Sequence, residues 1–345
     1  MRTLGLVLAF CLTLLATPVA TANSSAQVKS ADNTAQLCRN YSGLPAAKRS
    51  EKNADPSVPP GMVAIRGGRF LMGSERFYPE EKPRREVEVA PFYIQRHEVT
   101  NAQFAAFVNS TGYRTVAERP LDAQQFPQLS PEQRRAGSLV FQKPAQVNGM
   151  ADIHQWWIWT PGASWRAPEG PASHLRGRAN HPVVHIAFED AMAYTKWAGQ
   201  DLPTEAEWEF AARGGLNDAD YTWGNDKNLR DAKGKPLANY WQGPFPLQDF
   251  AQDGHHGTAP VGCFAANGYG LFDMAGNAWE LTKDDYLDTR SPLGGMKVAK
   301  GGSFLCSDDY CGRYRPAART PHGIDTGMQH VGFRTIWRKS DNPKK

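Results

Sequence analysis

Short apolar runs bounded by glycine and proline dominate the chain, and only three stretches carry helical spacing. Met62-Val63-Ala64-Ile65 reads as a strand, Gly67-Gly68 as a turn, and Arg69 to Met72 as the strand resuming. Phe92-Tyr93-Ile94 is a further short strand. Thr100 then opens a helix in which Phe104, Phe107 and Val108 share a face. A second helix is expected from about Asp190 to Ala198, burying Ala193, Tyr194 and Trp197. The third has the clearest start. In Pro203-Thr204-Glu205-Ala206-Glu207 the Thr204 hydroxyl and the Glu207 carboxylate each accept from the other's backbone amide. Trp208, Ala211 and Ala212 form the inner face of this helix, and Gly214-Gly215 ends it. Beyond it the pattern predicts strands and long turns but no helix. No repeat with a period of about 20 to 50 residues is present, so solenoids and propellers are excluded. The class is α+β with a large share of irregular backbone.

The first residues change the picture of where the protein works. Met1-Arg2 precedes an almost unbroken apolar run from Leu4 to Leu15, Pro18 breaks it, and Ala20-Thr21-Ala22 follows. This predicts a signal peptide over 1–22, cleaved after Ala22. The run is too short for a comfortable span, and nothing later approaches about 18 continuous apolar residues. The expectation is an exported protein, periplasmic or secreted, with no stable membrane insertion after cleavage. Residues 23–60, rich in Ser, Ala, Asn, Lys and Pro, bury too little apolar surface to offset chain entropy and read as a flexible leader. The remainder, 61–340, shows no internal linker and reads as one domain. A hydrophobic fraction of 41% supplies its core, and a net charge of +4 spread along 345 residues argues against nucleic-acid binding.

Cysteine usage sharpens the chemistry. Cys11 leaves with the signal peptide, Cys38 lies in the leader, and Cys263 stands far from the close pair Cys306 and Cys311. Cys38 and Cys263 are read as free or incidental. Two cysteines five apart meet in a turn either as a disulfide, the ordinary outcome after export, or as two ligands of one ion. No third or fourth Cys or His lies nearby to complete zinc, whereas copper(I) is soft and accepts two thiolates. Spacing alone leaves both readings open.

The other candidates have plainer readings. His181 and His185 flank Pro182-Val183-Val184, an extended stretch, and read as packing or hydrogen-bonding residues. His255-His256 reads as a surface pair, Trp156, Trp157, Trp159 and Trp165 as core, and Arg313, Arg315 and Arg319 as ion-pair partners. Asp249 to Gly254 fails the EF-hand pattern, because Ala251 takes a ligand position and Pro260 stands where the last glutamate belongs.

The segment Lys300-Gly301-Gly302-Ser303-Phe304-Leu305-Cys306, continued by Ser307-Asp308-Asp309-Tyr310-Cys311-Gly312-Arg313, resembles the active-site segment of the formylglycine-generating enzymes, or sulfatase-modifying factors. Val108 to Tyr113, Trp165 to Pro171, His181-Pro182-Val183, Leu202 to Glu209, Ala238 to Gly243, Asn267 to Leu271, Gly276 to Glu280 and Gly332-Phe333-Arg334 resemble further family blocks, in family order. The resemblance implies the family's variant of the C-type-lectin-like fold. It implies that Cys306 and Cys311 bind Cu(I), with Ser303 and Trp279 lining the oxygen pocket. The implied reaction uses O2 to convert the cysteine of a Cys-x-Pro-x-Arg segment, carried by an unfolded sulfatase-type polypeptide, into Cα-formylglycine. Two structural Ca2+ sites are implied as well. Asn239, the carbonyl of Tyr240, Asp253 and the carbonyl of His255 match one. Asp273, the carbonyls of Gly276 and Ala278, and Glu280 match the other. Asp273 replaces an Asn of the vertebrate enzyme, whose disulfide positions are Thr195 with Thr335 and Ala212 with Pro316 here. The stretch Asp325 to His330 departs from the family's Ser/Asn-rich turn beside the substrate groove. Relatives without the cysteines keep the fold, so two other readings stand: a non-catalytic lectin-like binding module with a structural Cys306–Cys311 disulfide, and an enzyme oxidising a different thiol.

Overall fold

A computed structural model describes residues 57–124, 126–287 and 295–339. The expected signal peptide, nearly all of the leader and Cys38 lie outside them. The first apolar runs form β1 (Met62–Ile65) and β2 (Gly68–Met72), followed by β3 (Arg85–Val89) and β4 (Phe92–Gln95). Helix α1 (Asn101–Thr111) follows, capped by the Thr100 hydroxyl, which accepts from the Gln103 amide. A hairpin of β5 (Gly137–Phe141) and β6 (Trp157–Pro161) comes next, then α2 (Phe188–Ala198) and α3 (Glu205–Arg213). The C-terminal part supplies β7 (Trp279–Asp285), β8 (Met296–Lys300), β9 (Thr320–Gly323), β10 (Val331–Gly332) and β11 (Ile336–Trp337). As the pattern predicted, no helix follows α3 among the described residues.

Three apolar clusters hold these elements. Helix α3 lays Trp208, Ala211 and Ala212 against β1, β2 and β4, with Phe210 edge-on to Phe70 at 5.3 Å. Helices α1 and α2 meet through Phe104 and Phe107 on Tyr194, and Trp165, Trp279, Val331 and Cys306 extend the same core. Trp156, Trp157, Trp241, Phe245, Phe304 and Leu305 form an aromatic wall. Each such ring withdrawn from water contributes roughly 1.5–3 kcal/mol. The tryptophan run is therefore mostly core, as expected, with Trp156, Trp157 and Trp165 all buried.

Helix α2 departs from the expected face. It buries Ala191, Tyr194 and Thr195, while Trp197 is 45% exposed. Trp197 sits on the shoulder of the helix, where one side of its ring tilts against Phe107 and Tyr194 and the other meets solvent. His181 and His185 are hydrogen-bonding residues, as expected, with His181 Nδ1 3.0 Å from Thr258 Oγ1. His185 takes a positive φ of 61° and spends both ring nitrogens on Ser138 Oγ and the Pro168 carbonyl.

The sheet in the order β10-β7-β8-β9 positions the site. Strand β7 pairs parallel with β10 at Trp279↔Val331 and antiparallel with β8 at Glu280↔Lys300. The chain leaving β8 and the chain entering β10 therefore lie on either side of Trp279. Those chains carry Ser303 and His330. Gly302, at φ +76°, lies so close to Tyr314 that a Cβ would come within 2.9 Å of its backbone, so only glycine closes this turn.

Candidate active site

The turn after β8 brings Cys306 Sγ and Cys311 Sγ to 2.9 Å, and both thiols are free. The expected alternative, a structural disulfide between them, is not what the chain forms. Cys306 is buried, and its backbone is fixed by hydrogen bonds from its amide to the Ser303 carbonyl and from the Trp241 amide to its own carbonyl. Cys311 donates its amide to the Ser307 carbonyl. The hydrogen bond from Cys306 holds the Cys311 pKa down to about 7, and the Arg313 charge acts in the same direction. Burial and the partner sulfur push Cys306 well up. Cys311 is therefore the sulfur that ionises first, with Cys306 the thiol that donates to it.

A short strap from far upstream holds this turn in place. Tyr78 Oη accepts from the Gly312 amide, and Glu80 pairs with Arg313 at 2.6 Å while Arg313 stacks on the Tyr78 ring. Glu81 pairs with Arg315, which stacks on Phe77. The arginines are thus ion-pair partners, as expected, and Arg319 pairs with Glu205. The strap residues were missed in the sequence. They lie more than 230 positions from their partners, and no local pattern announces the contact.

The Ser303 carbonyl accepts from the Cys306 amide, and Trp279 belongs to the same apolar core as Cys306. Ser303 Oγ accepts from the Leu305 amide and lies 3.3 Å from His330 Nδ1. The Trp279 amide donates to the His330 carbonyl, and Trp279 is buried. A cavity of about 520 Å³ lies nearby, and neither cysteine, nor Ser303 or Trp279, is among the residues that line it. Phe304 and Gln329, the chain neighbours of Ser303 and His330, line it together with Phe141, Pro168, Val184 and Glu169.

A second polar centre lies around β7. The Glu280 carboxylate takes two bonds from Arg334, both at 2.6 Å, and one from Trp208 Nε1. Asp273 Oδ2 accepts from the Gly262 amide while its buried Oδ1 has no partner. Glu98, which no local pattern marks as a candidate ligand, also faces this centre: Oε1 accepts from Asn277 Nδ2, and the buried Oε2 has no partner. Asn277 draws the centre together, accepting from Ala259 and from Asn239 Nδ2. Asn239 and Gly276 are bridged, Tyr240 packs on Tyr314, and Ala278 is buried just before β7. Farther along, Asp253 Oδ1 accepts from the His255 amide and its buried Oδ2 has no partner. Burial raises both Asp253 and Asp273 to about 6. Among the described residues, no group of three or more His, Cys, Asp or Glu side chains could by itself hold a metal ion.

Cys263 corrects an expectation. It is disulfide-bonded, not free. An exported protein can retain such a bond, and sequence distance alone hid it.

The sulfatase-modifying factor enzyme 1-like domain matches residues 47–339. The chain belongs to the formylglycine-generating enzyme family. It is 47% identical over 293 residues to the formylglycine-generating enzyme of Mycobacterium tuberculosis, covering 80% of this chain and 97% of that protein. It is 40% identical to the Bos taurus formylglycine-generating enzyme, covering 88% and 82%. A Mus musculus relative named inactive C-alpha-formylglycine-generating enzyme 2 is 42% identical over 80% of the chain. Overall identity therefore does not separate active from inactive members, and the site must carry that distinction. The solved structure of PvdO from Pseudomonas aeruginosa shares the fold, with a TM-score of 0.54 at 21% identity over 81% of this chain and 94% of that one. The fold is the family's, α+β and sparse in regular elements.

Proposed function

We propose that this chain is a copper(I)-dependent oxidase that uses O2 to convert the cysteine of a Cys-x-Pro-x-Arg sulfatase segment into Cα-formylglycine. One observation carries the reading: two free thiols at 2.9 Å, pinned on an immobilised turn, in a chain with formylglycine-generating relatives. The chain is an oxidoreductase of this family. Two soft sulfur donors without a carboxylate or imidazole in the set fit a soft monovalent cation better than zinc or calcium. Copper(I) bound there would supply the electron-transfer chemistry with O2. Cys311 ionises first, and once it has done so only one further proton must leave the pair for both sulfurs to act as ligands. Ser303 accepts from the Cys306 amide through its carbonyl, and Trp279 shares the apolar core that buries Cys306, which supports their reading as pocket residues. The nearby cavity offers Phe141, Pro168 and Val184 to the apolar part of the peptide. Glu169, the sole carboxylate in its lining, suits the arginine and pairs with Arg178 in the peptide-free chain.

The calcium reading is supported unevenly. The orphaned Oδ2 of Asp253, with Asn239 and the carbonyls of Tyr240 and His255, forms a hard-oxygen set that fits Ca2+. At the second set Asp273 Oδ1 is available, but Glu280 is already engaged by Arg334 and Trp208. An ion there would share Glu280 with Arg334. The apolar run at Leu4 to Leu15 supports export, so the reaction would run in the periplasm or outside the cell.

The decisive experiment loads reduced protein with Cu(I) and offers it a Cys-x-Pro-x-Arg peptide in air. Aldehyde appears and is trapped by a hydrazide. Cys306→Ser and Cys311→Ser each lower the rate by at least about 10³, as expected for groups that act as a unit. Reduced protein that fails to bind Cu(I) would overturn the reading.

A further inference from the structure

His330 is the feature of the site that the family resemblance does not explain. Its main chain is pinned on one side by Trp279, whose amide donates to the His330 carbonyl at 2.8 Å. Its ring meets the edge of Trp157, with centroids 4.5 Å apart. Gln329 beside it is locked to β5, donating its amide to the Leu139 carbonyl and accepting from the Phe141 amide. Two residues earlier still, Ser138 Oγ donates to the Gly327 carbonyl. The imidazole therefore has little freedom, and Nδ1 is held 3.3 Å from Ser303 Oγ.

The direction of that hydrogen bond follows from what else Ser303 does. Its Oγ already accepts from the Leu305 amide at 3.2 Å. If Nδ1 also donated, the oxygen would receive two donors and its own hydrogen would need a third partner. Among the described residues Ser303 Oγ has no other hydrogen bond. The consistent arrangement has the Ser303 hydroxyl donating to Nδ1, with the imidazole proton on Nε2. One oxygen lone pair then remains for a third group.

We propose, on the oxidase reading of the cysteine pair, that His330 is a positioning residue that fixes the Ser303 hydroxyl and so presents Ser303 to the substrate as a hydrogen-bond acceptor. Ser303 is buried, so the group it receives is a donor brought to the cysteine pair in the reacting complex. His330 stays neutral throughout. Burial holds its pKa down to about 3, so it serves as a fixed acceptor and not as a base that gains charge in turnover. A rotor fixed in advance costs nothing to orient when substrate arrives, which places the benefit in the reacting complex and not in peptide binding.

Two measurements test this. In 15N-histidine-labelled protein, nitrogen shifts should show His330 as the neutral Nε2–H tautomer through pH 6 to 8, a range chosen around the free histidine pKa of about 6.5. The Nδ1–H tautomer, or a titration in that range, overturns the proposal. In Cu(I)-loaded protein, His330→Ala should lower kcat about tenfold with KM changed less than about twofold. His330→Asn can put an amide oxygen where Nδ1 stands and should restore kcat to within about threefold, whereas His330→Gln cannot and should resemble the alanine variant. Equal melting temperatures across the set establish that the variants fold. His330→Ala at wild-type kcat, or His330→Asn falling with alanine, overturns the role of His330 alone. Wild-type protein that makes no aldehyde overturns this proposal and the oxidase reading together.

Discussion

The cysteine turn and the carboxylate centre around β7 are both built on irregular backbone, yet they settle their charges in opposite ways. At the turn both arginines are paired, Arg313 with Glu80 and Arg315 with Glu81, and the two carboxylates are hydrogen-bonded, Asp308 by Tyr314 and Asp309 by Ser307 and the Phe245 amide. The two sulfurs are left with each other. At the carboxylate centre three buried acids, Glu98, Asp273 and Glu280, face one buried guanidinium, Arg334. Glu280 and Arg334 satisfy one another, while Glu98 Oε2 and Asp273 Oδ1 are left without donors. The chain finishes the first region itself and leaves the second short of positive charge. A site that must hold an exchangeable reactant benefits from a complete, rigid frame. A structural centre can leave part of its charge balance to a cation.

Removing Arg334 strikes hardest at this contrast. Arg334→Met strands Glu280 beside two other buried acids and should cost roughly 3–5 kcal/mol, read as a large drop in the denaturation midpoint. A loss of under about 1 kcal/mol would mean that another cation already balances the centre.

The pH dependence of the calcium-free protein comes next. Asp253 and Asp273 are raised from 3.8 to about 6 in the folded chain. Between those values the folded state holds protons that the unfolded chain has released, so stability falls as pH rises through about 4 to 6 and stays lower above it. Calcium favours the ionised carboxylates and should flatten that fall. Thermal melts across this range, in chelator and in calcium, give the comparison, and identical curves would break it.

The smallest effect belongs to the cysteine turn. Arg313→Gln removes a cation beside Cys311 and should move its pKa upward from about 7. The hydrogen bond from Cys306 remains as the larger influence, so alkylation at neutral pH should slow only by roughly threefold. A tenfold loss would assign Arg313, and not Cys306, the leading part.

Much of the frame was legible because its causes are local. The Thr204–Glu207 capping box, the Gly214 terminus, the β1–β2 turn and the run of Phe104, Phe107 and Val108 each encode their conformation within a few residues. The face of α2 was not legible, since Ala191, Tyr194 and Thr195 or Ala193, Tyr194 and Trp197 satisfy helical spacing about equally well. Only the position of α1 makes the first set the buried one. The Cys263 disulfide was misread because spacing says nothing about a partner remote along the chain.

By itself the sequence determined the α+β class, the ends of α3 and the two cysteines that could share an ion, since residue type and short spacing govern all three, whereas α2 begins at Phe188, two residues before the expected start. Spacing could not say whether those cysteines close as a disulfide. Tertiary structure decided how closely they stand, at 2.9 Å, through a strap at Tyr78, Glu80 and Glu81 and a backbone bond from Trp241. It also set His330 against Ser303, because β10 and the turn after β8 flank the same strand. The physical reason is that hydrogen bonds and ion pairs depend on distance in space, and the groups that hold the strap to the turn lie 233 or 234 residues apart along the chain.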